Sequence, residues 1–131
     1  GTFTVTSSVS GGGTVTVNTS YDTLKYVRIG NTVHINGCIL FSTVTGTTEY
    51  VALAGFPFDV GTGDELSEYA TLNVNTLDNG TAKSNPAFAF ATSGTSFHIR
   101  LSGETGDGKD WIDNIDTGTS VLINGAYMIN D

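Results

Sequence analysis

The chain has 131 residues, which is enough for one domain with one hydrophobic core and leaves little room for a second. It carries 13 acidic residues against five basic ones, and its formal net charge of -8 disfavours binding to nucleic acid or to an anionic membrane. No apolar run is long enough to cross a bilayer. We therefore expect one domain over residues 1–131 that neither binds nucleic acid nor inserts into a membrane.

The composition is typical of an all-β protein. Threonine occurs 21 times beside many Val, Ile, Phe and Tyr, which are residues that favour strands. The 17 glycines and the abundant Asn, Asp and Ser supply turns. The single cysteine, Cys38, excludes an intrachain disulfide.

Alternating apolar residues between turn signals predict about nine short strands. In chain order they cover residues 2–6, 14–18, 21–29, 32–43, 48–54, 69–76, 87–91, 96–101 and 120–129. Proline at position 57 ends the fifth strand, and residues 59–68 form a loop. Because each sheet of such strands has one apolar face to bury, we expect an antiparallel β-sandwich with a jelly-roll-like arrangement.

The clearest local prediction is a hairpin that turns at Gly30 and Asn31, two residue types that accept positive φ. Alternation along the returning strand separates two sets of side chains. We expect the core face to consist of Val33, Ile35, Gly37, Ile39 and Phe41. The opposite face then consists of His34, Asn36, Cys38 and Leu40, and it is a candidate contact between subunits.

Catalytic groups are scarce. The only histidines, His34 and His98, alternate with core positions, and no nucleophile is evident beside either of them. His98 and Arg100 share a strand face that is either a polar ligand surface or simply solvated. Cys38 has no visible base to lower its pKa, so we interpret it as a small apolar side chain. These observations favour a protein that binds or assembles over an enzyme.

The segment 104–116 is unusually acidic, with five of the 13 acids around the only tryptophan, Trp111. Its carboxylates could hold calcium, but the spacing is not that of an EF-hand loop, and a solvated acidic loop without a cofactor is favoured. A glycosidase pair is a third interpretation, and the least favoured one. Its carboxylates would come from Glu68, Asp107, Asp110, Asp113 and Asp116.

Trp111 itself has two interpretations. If it is exposed, its ring offers a surface for a sugar, and Asp107, Asp110 or Asn114 could bind the sugar hydroxyls. If it is buried, it anchors the loop. Tyr69 and Glu68 are weaker candidates for the same carbohydrate site, as is Tyr50.

Four runs of residues carry a resemblance to a known family. They read GTFTV at 1–5, YVRIGNTVHING at 26–37, LAGFPF at 53–58 and INGAY at 123–127, and the second is the most specific. Together they resemble the C-terminal β-sandwich domains of bacteriophage tail fibres and tailspikes, in order along nearly the whole chain. The runs supply scaffold residues: Gly30 and Asn31 turn the hairpin, and Tyr127 shares a strand face with Val121, Ile123 and Ile129.

The resemblance implies a jelly-roll-like module at the C-terminal end of a longer virion protein. Such modules are usually homotrimers that recognise bacterial surface polysaccharide or hold the fibre trimer together. The acidic segment around 107–116 departs from the shared pattern, which favours Trp111 as a packing residue. The resemblance transfers no binding residues, because the loops differ within the family.

Overall fold

The structure is a computed structural model, and it describes most of the chain. The described residues are 1–9, 12–45, 51–61, 70–78, 81–82, 87–91, 94–101 and 115–129.

The described residues form antiparallel strands and no helix, and none of them forms a helical span that could cross a membrane. The strands are β1 Thr2–Thr4, β2 Thr6–Val9, β3 Thr14–Val17, β4 Thr23–Ile29, β5 Thr32–Thr45, β6 Val51–Ala54, β7 Ala70–Asp78, β8 Thr81–Ala82, β9 Ala87–Ala91, β10 Ser96–Leu101 and β11 Thr119–Met128. Nine of them form one hydrogen-bonded path, β1-β4-β5-β11-β7-β9-β10-β6-β2, while β3 pairs with β5 and β8 with β7. The predicted all-β antiparallel fold is confirmed and is consistent with a sandwich, while its jelly-roll connectivity stays a prediction.

The two ends of this path are consecutive in the chain. β1 pairs with β4 at one end and β2 pairs with β6 at the other, and only Val5 separates them. Val5 is 1% exposed, and its N–H donates to the Asp22 carbonyl oxygen. Gly55 lies beside this crossing with φ of 95°, where a Cβ would collide with the Thr4 carbonyl oxygen. The sheet therefore curves until its first and last strands are joined through Val5, and it encloses one core.

The predicted segment 2–6 therefore changes partners instead of forming one strand. Its alternation is nevertheless correct, because Phe3 and Val5 are both buried. The residues after it continue as β2, a strand that the Ser-rich sequence did not indicate. Serine has only a weak strand preference, so pairing with β6 decides the conformation there.

Period-two burial holds through the long central strands. Val33, Ile35, Ile39 and Phe41 of β5 are at most 3% exposed, as the alternation predicts. The predicted Tyr127 face is also buried: Val121, Ile123 and Tyr127 lie in β11, and Ile129 follows directly after it. The β4–β5 hairpin turns at Gly30, whose φ of 58° lies in the left-handed region that glycine adopts without strain.

Aromatic rings concentrate at one end of the sandwich. The Phe56 ring lies 4.4 Å from Phe97 and 5.1 Å from Phe3 between ring centroids, and Phe97 lies 5.4 Å from Tyr127. We call this end, where the β4–β5 turn also lies, the hairpin end. Asp116 and Thr119 lie at the other end of β11, where the Thr119 N–H donates to the Asp116 carbonyl oxygen and the Asp116 N–H donates to Thr119 Oγ1.

Candidate functional site

A groove of about 470 Å³ opens at the hairpin end. We call it the end groove, and its lining comes from four separate segments: β4, the residues after β6, the turn before β10 and the residue after β11. The lining residues are Arg28, Pro57, Phe58, Asp59, Val60, Thr95 and Ile129. This volume is in the range of sites that bind small ligands.

Backbone pairing fixes the groove's base. The Val60 N–H donates to the Gly94 carbonyl oxygen at 2.9 Å, and Val60 also forms a bridge with Ile129. The Ile129 N–H donates to the Asn31 carbonyl oxygen at 2.9 Å. Three of the four segments are thereby tied to one another or to the hairpin turn, so the groove exists without a ligand.

Phe58 supplies the aromatic surface of the groove. Proline at 57 ends strand pairing, and Phe58 follows it as a half-buried side chain whose ring meets Tyr26 edge-on at 5.5 Å between centroids. The Tyr127 hydroxyl donates to the Phe58 carbonyl oxygen at 3.2 Å. Burial raises the pKa of Tyr127 to about 12, with a further contribution from the negative charge of Asp59, while the hydrogen bond acts in the opposite direction. The phenol is therefore neutral at physiological pH and can donate this bond.

Arg28 continues the inward row of β4 beyond the core. Leu24 in this row is fully buried, Tyr26 is half-buried, and Arg28 reaches the strand's end, where it is exposed. Its guanidinium carbon lies 5.2 Å from the centre of the Phe58 ring, and its Nε donates to the Gly30 carbonyl oxygen at 2.8 Å. The cation–π contact and the hydrogen bond together hold the guanidinium at the groove.

The described lining of the end groove carries charges of both signs. Among the described residues that line it, Arg28 and Asp59 are charged, one of each sign, and Asp59 is exposed. Thr95 adds a hydroxyl from a half-buried position, and its backbone carbonyl oxygen accepts from the Phe56 N–H at 3.3 Å. The groove thus combines hydrogen-bond donors and acceptors with an aromatic ring.

A second surface lies on the outer side of β4, β5 and β11. These three strands contain no Asp or Glu, although the whole chain has 13. Strand register places Ile29, Thr32 and Met128 in one row and Val27, His34 and Ala126 in the next. We call this surface the acid-free face. Its outward residues are Lys25, Val27, Ile29, Thr32, His34, Asn36, Cys38, Leu40, Ser120, Leu122, Asn124, Ala126 and Met128.

The acid-free face exposes large apolar side chains. Ile29 is 66% exposed, Val27 59% and Met128 50%. Beside them a depression of about 120 Å³ lies between β4 and β5, lined in part by Lys25, Val27 and His34. The predicted outward positions of His34, Asn36 and Cys38 are confirmed as exposed, while Leu40 is half-buried.

The carbohydrate-binding residues predicted from the sequence lie outside the described residues. They are Glu68, Tyr69, Asp107, Asp110, Trp111 and Asn114. The calcium interpretation of the 104–116 segment falls there too, apart from Ile115, which is 2% exposed, and Asp116. Across the described residues, no three His, Cys, Asp or Glu side chains gather where they could hold a metal ion.

The end groove was not among the sequence-based candidates. Its signals were present: an aromatic residue and an acid follow the proline that ends a strand, and an arginine stands just before the hairpin turn. The sequence does not show that these residues come together in space. Their proximity depends on the pairing that brings the ends of β4 and β11 beside the turn before β10.

Comparison with known proteins adds no assignment to this geometry. No family model, curated protein or solved structure matches the chain.

Proposed function

We propose that this domain is the receptor-binding module of a bacteriophage tail fibre or tailspike, and that it recognises host surface carbohydrate on the outside of the virion without catalysing a reaction. The observation that carries the proposal is the end groove. An aromatic ring, a carboxylate, a guanidinium and a hydroxyl line one preformed cavity there. Sugars present apolar ring faces and hydroxyl groups, which are the surfaces that such a lining binds.

Two of the described acids bear on the non-enzymatic part of the proposal. Glycoside hydrolysis uses two carboxyl groups within about 10 Å of each other. Asp59 is the one acid that lines the end groove among the described residues. Asp116 was a sequence candidate for such a pair, but it stands at the opposite end of β11, whose ten residues span about 30 Å.

The test is binding of the purified domain to host cells and to polysaccharide extracted from them. We expect saturable binding that soluble host polysaccharide competes away, with no new reducing ends after prolonged incubation. Absence of binding to both cells and polysaccharide would remove the receptor role. Release of reducing ends that is lost in Asp59→Asn would show an enzyme instead.

A second candidate is a structural module that trimerises or caps the fibre, and the acid-free face favours it. Copies with a net charge of -8 repel one another over most of their surfaces, and this face has no acids while exposing Val27, Ile29 and Met128. Exposed apolar side chains in contiguous rows are typical of surfaces that bury against a partner. We propose a homotrimer that uses this face, and the two roles are compatible.

Light scattering of Val27→Asp and Ile29→Asp variants tests the assembly. We expect the unchanged domain to have the mass of three chains and each variant to dissociate at least tenfold more readily, because an aspartate in an apolar contact is costly to bury. Thr6→Asp is the matched control, since Thr6 is exposed on β2, which pairs with β6 and not with β4, β5 or β11. A monomeric unchanged domain, or equal effects of all three substitutions, would contradict the proposal.

A further inference from the structure

We infer that mildly acidic pH dissociates the homotrimer proposed for the acid-free face, because the contact buries His34 where its protonated ring has no carboxylate to pair with. This inference rests on the proposed homotrimer and adds a form of regulation to its contact surface. It follows from the position of His34 in the strand register and from the charges carried by the strands around it.

His34 lies on the central strand of the acid-free face. Register places it between Val27 of β4 and Ala126 of β11, so one imidazole stands between two apolar side chains. The next row towards the hairpin turn holds Ile29 and Met128. His34 is exposed, as are Val27, Ala126, Ile29 and Met128. A partner surface that covers these apolar side chains therefore covers the ring of His34 as well.

The strands around His34 offer cations and no anions. β4, β5 and β11 contain no Asp or Glu, and neither does β3, which pairs with the far part of β5. Lys25 and Cys38 are the other titratable groups on the outward side of these strands, and Lys25 lines the same small depression as His34. Where two copies of this face meet, a protonated His34 would face apolar, amide, thiol and cationic groups.

Assembly therefore favours the neutral imidazole. A histidine ordinarily takes up its second ring proton between about pH 8 and pH 5. Burial of an unpaired imidazolium costs free energy, and the like charges of neighbouring copies add to that cost. In separate chains the protonated ring of His34 is exposed to water and carries no such cost. The contact is thus complete at the higher pH, and it is lost as the pH falls and His34 takes up its proton.

The charge of the rest of the chain acts in the opposite direction. As the pH falls, the net charge of -8 becomes smaller, which weakens the repulsion between copies and favours assembly. Dissociation at mildly acidic pH therefore indicates a cation that assembly buries. The other histidine of the sequence, His98, lies on β10, which pairs with β6 and β9 and not with the strands of the face.

The test measures the mass of the purified domain by light scattering over a series of protein concentrations. It is carried out at about pH 7.5 and again at pH 5.5, where Asp and Glu side chains ordinarily remain ionised. We expect the dissociation constant of the homotrimer to rise by about tenfold for each copy of His34 that is protonated on dissociation. Far-UV circular dichroism at both pH values should show the same strand content, which separates dissociation from unfolding.

His34→Gln is the diagnostic variant, and His98→Gln is its control. Glutamine is polar and gains no charge in this pH range, so we expect His34→Gln to have the same dissociation constant at both pH values. His98→Gln should keep the pH dependence of the unchanged domain. His34→Lys, which places a permanent positive charge at the same position, should dissociate about tenfold more readily than the unchanged domain even at the higher pH.

The outcomes separate this inference from the proposed homotrimer. If the unchanged domain is equally trimeric at both pH values, if acidification strengthens the assembly, or if His34→Gln keeps the pH dependence, the inference fails and the homotrimer stands. If the unchanged domain is a monomer at both pH values, the homotrimer fails and the inference fails with it. Dissociation at the lower pH that His34→Gln abolishes and His98→Gln retains is the result that supports the inference.

Discussion

The acid-free face and the end groove both draw on β4 and β11, yet they are built in different ways. The face follows from strand register, which repeats outward side chains in rows and gives a broad surface with apolar residues such as Ile29 and Met128. The groove comes from the residues where strands stop, and its described lining brings the Phe58 ring and a few polar groups into a small volume. A broad face suits another protein surface, whereas a small polar groove suits a ligand.

Because they are built differently, the acid-free face and the end groove can be disrupted separately by substitution. Side chains on the face point away from the core, so substitutions there leave the interior intact. The groove stands directly on the aromatic cluster of the hairpin end, and its shape depends on packing beneath it. Damage to the groove is therefore expected to lower the stability of the folded domain itself, and damage to the face is expected to act on assembly.

The largest effect is expected from Phe56→Ala. Phe56 is 3% exposed and packs against Phe3, Phe97 and Tyr127, so its removal leaves a cavity under the residues that line the groove. We expect a loss of about 3–5 kcal/mol in the free energy of unfolding, measured by urea denaturation. Carbohydrate binding should fall with it, even where the domain remains folded.

The control for this variant is Tyr21→Ala, which removes an aromatic side chain that is 60% exposed. We expect a change within about 0.5 kcal/mol. Equal losses at both positions would show that the aromatic cluster has no special role at the hairpin end.

A smaller effect is expected from Tyr127→Phe, which removes the hydrogen bond to the Phe58 carbonyl oxygen and keeps the ring. The loss at neutral pH should be about 1 kcal/mol. The pKa of Tyr127 is raised to about 12 in the fold, above an ordinary value of 10.0, so the fold favours the neutral phenol. The contribution of the neutral Tyr127 phenol to the free energy of unfolding is complete below pH 10. It falls by up to about 2 kcal/mol as the pH rises towards 12.

Denaturation at a series of alkaline pH values measures this dependence. The Phe variant should lose less stability than the unchanged domain between pH 10 and 12, the interval between the two pKa values. Tyr21→Phe should keep the dependence of the unchanged domain. If Tyr127→Phe follows the same alkaline curve as well, the buried phenol does not couple to unfolding.

The two regions also differ in how far the sequence predicts them. Alternation in β5 and β11 predicts both the buried residues and the outward His34, Asn36 and Cys38, because side-chain direction in a strand is a local property. The end groove depends on pairings between distant segments, such as Val60 with Gly94 and Ile129. The sequence also does not reveal that the strand pairing changes at Val5, because the alternation of Phe3 and Val5 continues without a break there.

The smallest expected effect is at Cys38, which reports on the acid-free face without disturbing it. Cys38 lies in register with Leu122 of β11, and burial raises the pKa of its thiol although the residue is exposed. Alkylation proceeds through the thiolate, so iodoacetamide should react several-fold more slowly at pH 8 than with a cysteine in an unfolded peptide. If copies assemble through this face, the rate should fall further as protein concentration rises, and Ile29→Asp should abolish that dependence. A rate that is independent of concentration in a trimeric sample would place the subunit contact elsewhere, because a covered thiol cannot react at the speed of an open one.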